Sequence, residues 1–127
     1  MIKRRKVIAV DVDATLAKYD GWKGVNNIGD PISGALEFVR KLSKFADILI
    51  YSTRTNSELN KLPAEKLRDI LQVWLDKWGF TYNDIWIGQG KPICDAIVDD
   101  RGVSCRPQED EQAYNNAVIK CMELCSK

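Results

Sequence analysis

The chain has 127 residues, which is enough for one domain with its own hydrophobic core. Its formal net charge is +1 and 29% of its residues are charged, so no overall field favours nucleic acid or a membrane surface. No apolar segment approaches the roughly 20 residues of a membrane-spanning helix, and no secretion signal is recognisable. We therefore expect a cytoplasmic protein without membrane contact.

Two residue types limit the possible chemistry. The sequence contains no histidine, which excludes Ser-His and Cys-His nucleophiles and every imidazole metal site. The four cysteines form no Cys-x-x-Cys pair, so we interpret them as reduced thiols, with Cys121 and Cys125 on the apolar face of a helix. Acid–base chemistry must therefore come mainly from carboxylates.

Apolar runs and helical periodicities alternate along the chain. Short apolar runs predict buried strands over residues 7–10, 47–51, 85–87 and 96–98. Apolar residues at helical spacing predict helices that begin near Asp30-Pro31, that follow Pro63 up to residue 78, and that close the chain from Ala113 to Cys125. Residues 18–30 are predicted as a loop or small hairpin. This alternation predicts an α/β fold, a single Rossmann-like three-layer domain with a mostly parallel central sheet.

Polar side chains stand at the ends of the predicted strands. Asp11 and Asp13 follow the first strand, Ser52 the second, and Asp99 and Asp100 the fourth, while Lys91 precedes the fourth. Because the carboxyl ends of parallel strands share one edge, we expect these groups to converge on one crevice. Carboxylates placed together repel one another unless a cation lies among them, and oxygen ligands favour Mg²⁺. A lysine and a hydroxyl beside Mg²⁺ indicate a phosphoryl ligand.

In their order along the chain, these residues resemble the four motifs of the haloacid dehalogenase (HAD) superfamily of phosphohydrolases, although the seven residues between Lys91 and Asp99 are fewer than many relatives of the family have. The matching segments are Asp11-x-Asp13-x-Thr15, Ser52, Lys91 and Asp99-Asp100, which together span most of the chain. The resemblance implies a HAD-like core domain over residues 1–127 and an Mg²⁺-dependent phosphatase. The gaps after the first motif and between the second and third have no room for a sizeable cap domain, so the capless type is expected.

The resemblance also implies a role for each motif residue. Asp11 would attack phosphorus and form an aspartyl-phosphate, and Asp13 would be the general acid and base, kept partly protonated by nearby negative charge. Mg²⁺ would be held by the Asp11 carboxylate, the Asp13 backbone carbonyl and one acid of Asp99-Asp100, the second being favoured. Ser52 would donate to a phosphoryl oxygen, and Lys91 would stabilise charge in the transition state.

Some of these assignments have a structural alternative. Ser52 could instead cap a turn, and Lys61 or Lys66 could take the role given to Lys91. Ala14 stands where many relatives of the family carry glycine, so its methyl group could strain a backbone that needs a permissive conformation. The alanine at this position removes no reacting group from the site.

Five further residues are candidate substrate contacts: Thr15, Trp22, Thr53, Arg54 and Arg101. Thr15 could instead tie the loop that shapes the site, and Trp22 could pack against its own loop. Pairing with acidic side chains explains either arginine equally well.

The substrate class is left open by the sequence. A sugar phosphate, a mononucleotide and a phosphorylated nucleic-acid end are all compatible with an open site. The segment Asp99-Asp100-Arg101 also resembles the phosphatase half of bacteriophage polynucleotide kinase-phosphatases, which remove a 3′-phosphate. A HAD-like phosphate-binding protein without turnover is the non-enzyme alternative, and a second copy in a homo-oligomer could cover the site.

Overall fold

A five-stranded sheet lies at the centre of the structure, a computed structural model that describes residues 5–88, 92–99 and 103–126, with only the backbone of Ser104. The strands are β1 (Lys6–Val10), β2 (Ala46–Ile50), β3 (Asp84–Ile85), β4 (Ala96–Asp99) and β5 (Val103–Ser104). Their order is β3-β2-β1-β4-β5, and each neighbouring pair is parallel. The predicted α/β class with a mostly parallel sheet is confirmed.

In the described residues, four helices accompany the sheet: α1 (Ala35–Ser43), α2 (Ser57–Asn60), α3 (Ala64–Trp78) and α4 (Ala113–Cys125). Helix α1 packs against β2 and α4, and α4 also contacts β4 and β5. A 3₁₀ turn over Thr53–Thr55 follows β2 and contacts α3. The sequence patterns did not predict this turn, α2 or β5, because each is too short to show a hydrophobic period.

Helix α3 begins and ends where the sequence predicted. Pro63 occupies its N-cap position, and Gly79 ends it with a φ of 78°, a left-handed conformation that glycine adopts without a Cβ clash. Its apolar face buries Leu71 and Leu75, and the ring of Trp74 stacks on Phe80 with 5.1 Å between centroids. Each fully buried leucine contributes about 1.5–3 kcal/mol, so packing accounts for much of the helix's stability.

Helix α1 begins later than predicted. Pro31 forms an isolated antiparallel bridge with Ala17, and the Ile32 N–H donates to the Leu16 carbonyl at 2.8 Å. These contacts keep residues 31 and 32 extended, so the helix begins only at Ala35, after Gly34 with its φ of 89°. The prediction of a helix start at Asp30-Pro31 was therefore wrong, because a tertiary bridge competes with the local helical pattern.

The core is made mainly of apolar side chains from the strands and helices. Strand residues with no exposed surface are Ile8, Ala9, Val10, Ile48, Ile50 and Val98. The four cysteines are free, and Cys105 and Cys121 belong to this core. No helix in the described part of the chain combines the length and apolar character needed to cross a bilayer.

Candidate active site

The strand order creates a crevice between β1 and β4. The chain runs outward from β1 to β2 and β3, then returns to place β4 on the other side of β1. Val10 is in register with both Ile50 and Val98, and the Asp11 N–H donates to the Val98 carbonyl at 3.0 Å. Asp11 and Asp99 therefore leave neighbouring strands at the same level. Ligands of open α/β sheets bind at such a point, beyond the carboxyl ends of the strands.

A cleft of about 450 Å³ opens at this edge of the sheet. Four residues predicted for the site line it, namely Asp11, Ser52, Thr53 and Asp99. The remaining lining residues are Tyr51, Thr55, Asn56, Ser57, Glu58, Trp86, Ile87 and Gly88. Tertiary structure thus brings together groups from three motif segments that lie far apart in the sequence.

The segment after β1 folds into a single tight turn. The N–H groups of Leu16 and Ala17 both donate to the Val12 carbonyl, at 2.8 and 2.9 Å. Ala14 adopts a φ of 65° inside this turn, a left-handed conformation that residues with a Cβ rarely adopt. The turn fixes where the chain leaves Asp11.

Thr15 lies at 0% exposure inside that turn, so its side chain does not reach the cleft. Its hydroxyl has no hydrogen-bond partner among the described residues, whereas its carbonyl accepts from the Tyr114 hydroxyl at 2.6 Å. The substrate contact predicted for Thr15 is corrected accordingly. The residue ties the loop to α4 through its backbone.

Ser52 caps a turn and also lies at the cleft. Its Oγ accepts a hydrogen bond from the Arg54 N–H at 3.1 Å and so caps the 3₁₀ turn. The same side chain also lines the cleft. Because a hydroxyl both donates and accepts, capping the turn leaves its proton available for a ligand oxygen.

Arg54 does not belong to the described lining of the cleft. Its side chain is 3% exposed and forms a fork with Asp13, with Nε to Oδ2 at 2.8 Å and Nη2 to Oδ1 at 2.9 Å. The Trp22 ring lies 4.9 Å from the guanidinium carbon. The sequence left open whether Arg54 binds substrate or pairs with an acid, and the structure shows the pair. A cation thus adjoins Asp13, where negative charge was expected.

Three predicted site residues, Lys91, Asp100 and Arg101, lie outside the described residues. Their roles therefore stay predictions. Lys61 and Lys66, the alternatives to Lys91, are both exposed and do not belong to the described lining of the cleft.

Sequence reasoning missed one wall of the cleft, which Trp86 and the segment 56–58 provide. Trp86 was assigned to the middle of a strand, but β3 ends at Ile85, so Trp86 already belongs to the sheet edge. The Thr55 hydroxyl lies 2.8 Å from the Trp86 carbonyl and connects the two parts of the wall. The sequence did contain a signal for this wall, because one of its two parts follows β2 and the other follows β3.

The donor set fits a hard divalent cation. Asp11, Glu58 and Asp99 place carboxylates along the cleft, and its described lining contains no lysine or arginine. Within the described residues, no group of three or more acidic or cysteine side chains is arranged to hold a metal ion. Mg²⁺ commonly uses only one or two carboxylates and completes its shell with water and substrate phosphate. Asp11 and Asp99 supply that number.

The comparisons with known proteins support the fold. No protein-family model matches the chain, and no curated protein matches it. A crystal structure of a structural-genomics target from Vibrio cholerae is similar, with a TM-score of 0.52, 24% identity, and coverage of 91% of this chain and 98% of that one. A conserved protein from Bacteroides thetaiotaomicron gives a TM-score of 0.53 at 21% identity, over 88% of this chain and 92% of its own. At these identities the likeness shows a shared Rossmann-like α/β fold.

Proposed function

We propose that this protein is an Mg²⁺-dependent phosphomonoester hydrolase of the HAD type. The observation that carries the proposal is the convergence of Asp11, Asp99 and Ser52 on one cleft at the switch point of the sheet. Carboxylates repel a phosphate unless a cation lies among them. With Mg²⁺ held by the Asp11 carboxylate, the Asp13 backbone carbonyl and one acid of Asp99-Asp100, the same cleft would attract a phosphate.

The proposed reaction has two steps on the Asp11 side chain. A carboxylate oxygen of Asp11 forms a bond to phosphorus while the bond to the leaving oxygen breaks, and a proton from Asp13 goes to that oxygen. Water then attacks phosphorus and gives a proton to Asp13, while the bond between phosphorus and the Asp11 oxygen breaks and phosphate leaves. Ser52 donates its hydroxyl to a phosphoryl oxygen, and Lys91 neutralises charge in both transition states. Mg²⁺, when bound, supplies Lewis-acid stabilisation of the phosphoryl oxygens.

Hydrolysis of p-nitrophenyl phosphate by the purified chain tests the proposal. Turnover should require Mg²⁺ and be abolished by EDTA. Asp11→Asn should lower kcat by about 10³-fold or more, as expected for loss of a nucleophile. The matched control is Asp69→Asn, an exposed carboxylate on α3, which should leave turnover unchanged. Full activity in Asp11→Asn would refute the assignment of the nucleophile.

Beryllofluoride binding separates the enzyme from the non-enzyme alternative. Mg²⁺-dependent binding that Asp11→Asn removes, without turnover of any substrate tested, would indicate a phosphate-binding protein. A panel of sugar phosphates, nucleotides, phosphopeptides and 3′-phosphorylated oligonucleotides identifies the substrate class. A preference for sugar phosphates would exclude the polynucleotide 3′-phosphatase activity.

A further inference from the structure

Arg54 is the most deeply buried charged side chain in the described part of the chain, at 3% exposure. Arginine stays protonated in proteins, and a buried charge is tolerated only when its donors are satisfied. Here Nε and Nη2 bind the two oxygens of Asp13, and the remaining donors reach three carbonyls at the tip of the loop. These carbonyls belong to Gly24, Val25 and Asn27, at 3.3, 3.4 and 3.3 Å.

The loop that surrounds Arg54 is itself held in place. Its base is closed by the Lys18 N–H, which donates to the Asp30 carbonyl at 2.9 Å. The Trp74 indole donates to the Gly29 carbonyl at 3.1 Å, and a Cβ at Gly29 would collide with the Lys18 carbonyl oxygen. The loop is therefore a fixed receptor for the guanidinium, and the half-exposed Trp22 ring covers its outer side.

We infer that Arg54 is a positioning residue that aims the Asp13 carboxylate at the leaving oxygen; this inference rests on the proposed function. The fork fixes the plane and the rotation of the carboxylate, which a lysine ammonium, as a point charge, does not do. Asp13 retains acceptor sites beyond the two that Arg54 uses, and its side chain is 18% exposed, so part of the carboxylate is open to solvent.

The dependence of phosphoryl transfer on the leaving group tests this role. Phenyl phosphate needs a proton on its departing oxygen, whereas dinitrophenyl phosphate releases a phenolate that departs without one. The constant kcat/KM reports the steps up to formation of the aspartyl-phosphate and release of the phenol. Arg54→Lys should lower kcat/KM for phenyl phosphate about 10²-fold, which lies within the range of lost general-acid catalysis. For dinitrophenyl phosphate, the same substitution should lower kcat/KM less than about fivefold. Asp13→Asn should show the same selectivity.

Two further variants keep the test decisive if Arg54→Lys folds poorly. Trp22→Ala leaves the ion pair intact and removes only its aromatic cover, so it should lower kcat/KM for phenyl phosphate selectively by about fivefold. Arg40→Lys replaces an exposed arginine on α1 and is the matched control. It should leave kcat/KM unchanged for both aryl phosphates. Thermal unfolding of each variant shows whether the fold is kept.

The outcomes separate the inference from the function on which it rests. If the wild-type chain turns over neither aryl phosphate with Mg²⁺, the proposed function is wrong. In another outcome, the wild type is active and the Arg54 and Trp22 substitutions lower kcat/KM equally for the two aryl phosphates, or for neither of them. That result overturns the positioning role and leaves the proposed function standing. Selective loss with phenyl phosphate supports both.

Discussion

Replacing Ala14 by glycine is expected to stabilise the protein. Ala14 has a φ of 65°, and the left-handed conformation costs an L-residue about 1–2 kcal/mol relative to ordinary helical backbone. Glycine removes that cost but gains about 0.4–1 kcal/mol of entropy in the unfolded chain. The difference is a net stabilisation of about 0.5–1 kcal/mol, which corresponds to a rise in Tm of about 2–5 °C.

Urea denaturation followed by circular dichroism measures this effect. The midpoint should rise while the m-value stays constant, because the surface exposed on unfolding does not change. Ala117→Gly is the matched control: this buried residue lies inside α4, where the same substitution should cost about 1 kcal/mol or more. If Ala14→Gly destabilises the protein as much as Ala117→Gly does, the strain argument is wrong.

Three other perturbations test contacts around the site and the core. Thr15→Val should raise the free energy of unfolding by about 1 kcal/mol, because the buried hydroxyl has no described partner. Thr15→Ser should lower the free energy of unfolding, because it removes a buried methyl group. Equal effects of the two substitutions in urea denaturation would contradict this reasoning. Tyr114→Phe should cost about 1–2 kcal/mol in the same assay by removing the donor to the Thr15 carbonyl, and an unchanged midpoint would show that this bond contributes nothing. Burial raises the pKa of Cys105 and Cys121 to about 12 from an ordinary 9.0, so their contribution is full below pH 9 and is lost as the pH rises toward about 12. Denaturation across that window should show declining stability, and a Cys105→Ala, Cys121→Ala double variant should show a shallower decline.

The arrangement of the cleft divides the site into two sides. Asp11 and Asp99 continue adjacent strands of the sheet, so backbone hydrogen bonds fix their spacing. Asp13 instead lies in the turn, and its carboxylate is oriented by a side chain that comes from the end of β2. In the proposed reaction, the carboxylates that bind the metal and attack phosphorus are therefore positioned by the sheet. The proton donor, Asp13, is positioned by its contact with Arg54.

Local sequence patterns were enough to predict the alternation of strands and helices and the polar residues at the strand ends. These features depend on periodicity and on local backbone preference, which neighbouring residues encode directly. The limits of α3 were predicted well because Pro63 and Gly79 act locally. The convergence of Asp11, Ser52 and Asp99 was predictable for a related reason, since parallel strands bring their carboxyl ends to one edge.

The side-chain contacts between residues far apart in the sequence could be identified only from the tertiary structure. Arg54 meets Asp13 across 41 residues, and Tyr114 meets Thr15 across 99, because the loops between them fold onto one another. No local pattern encodes such pairs. The same reason explains the late start of α1 and the wall formed by Trp86, since a bridge to Ala17 and the early end of β3 depend on neighbours in space.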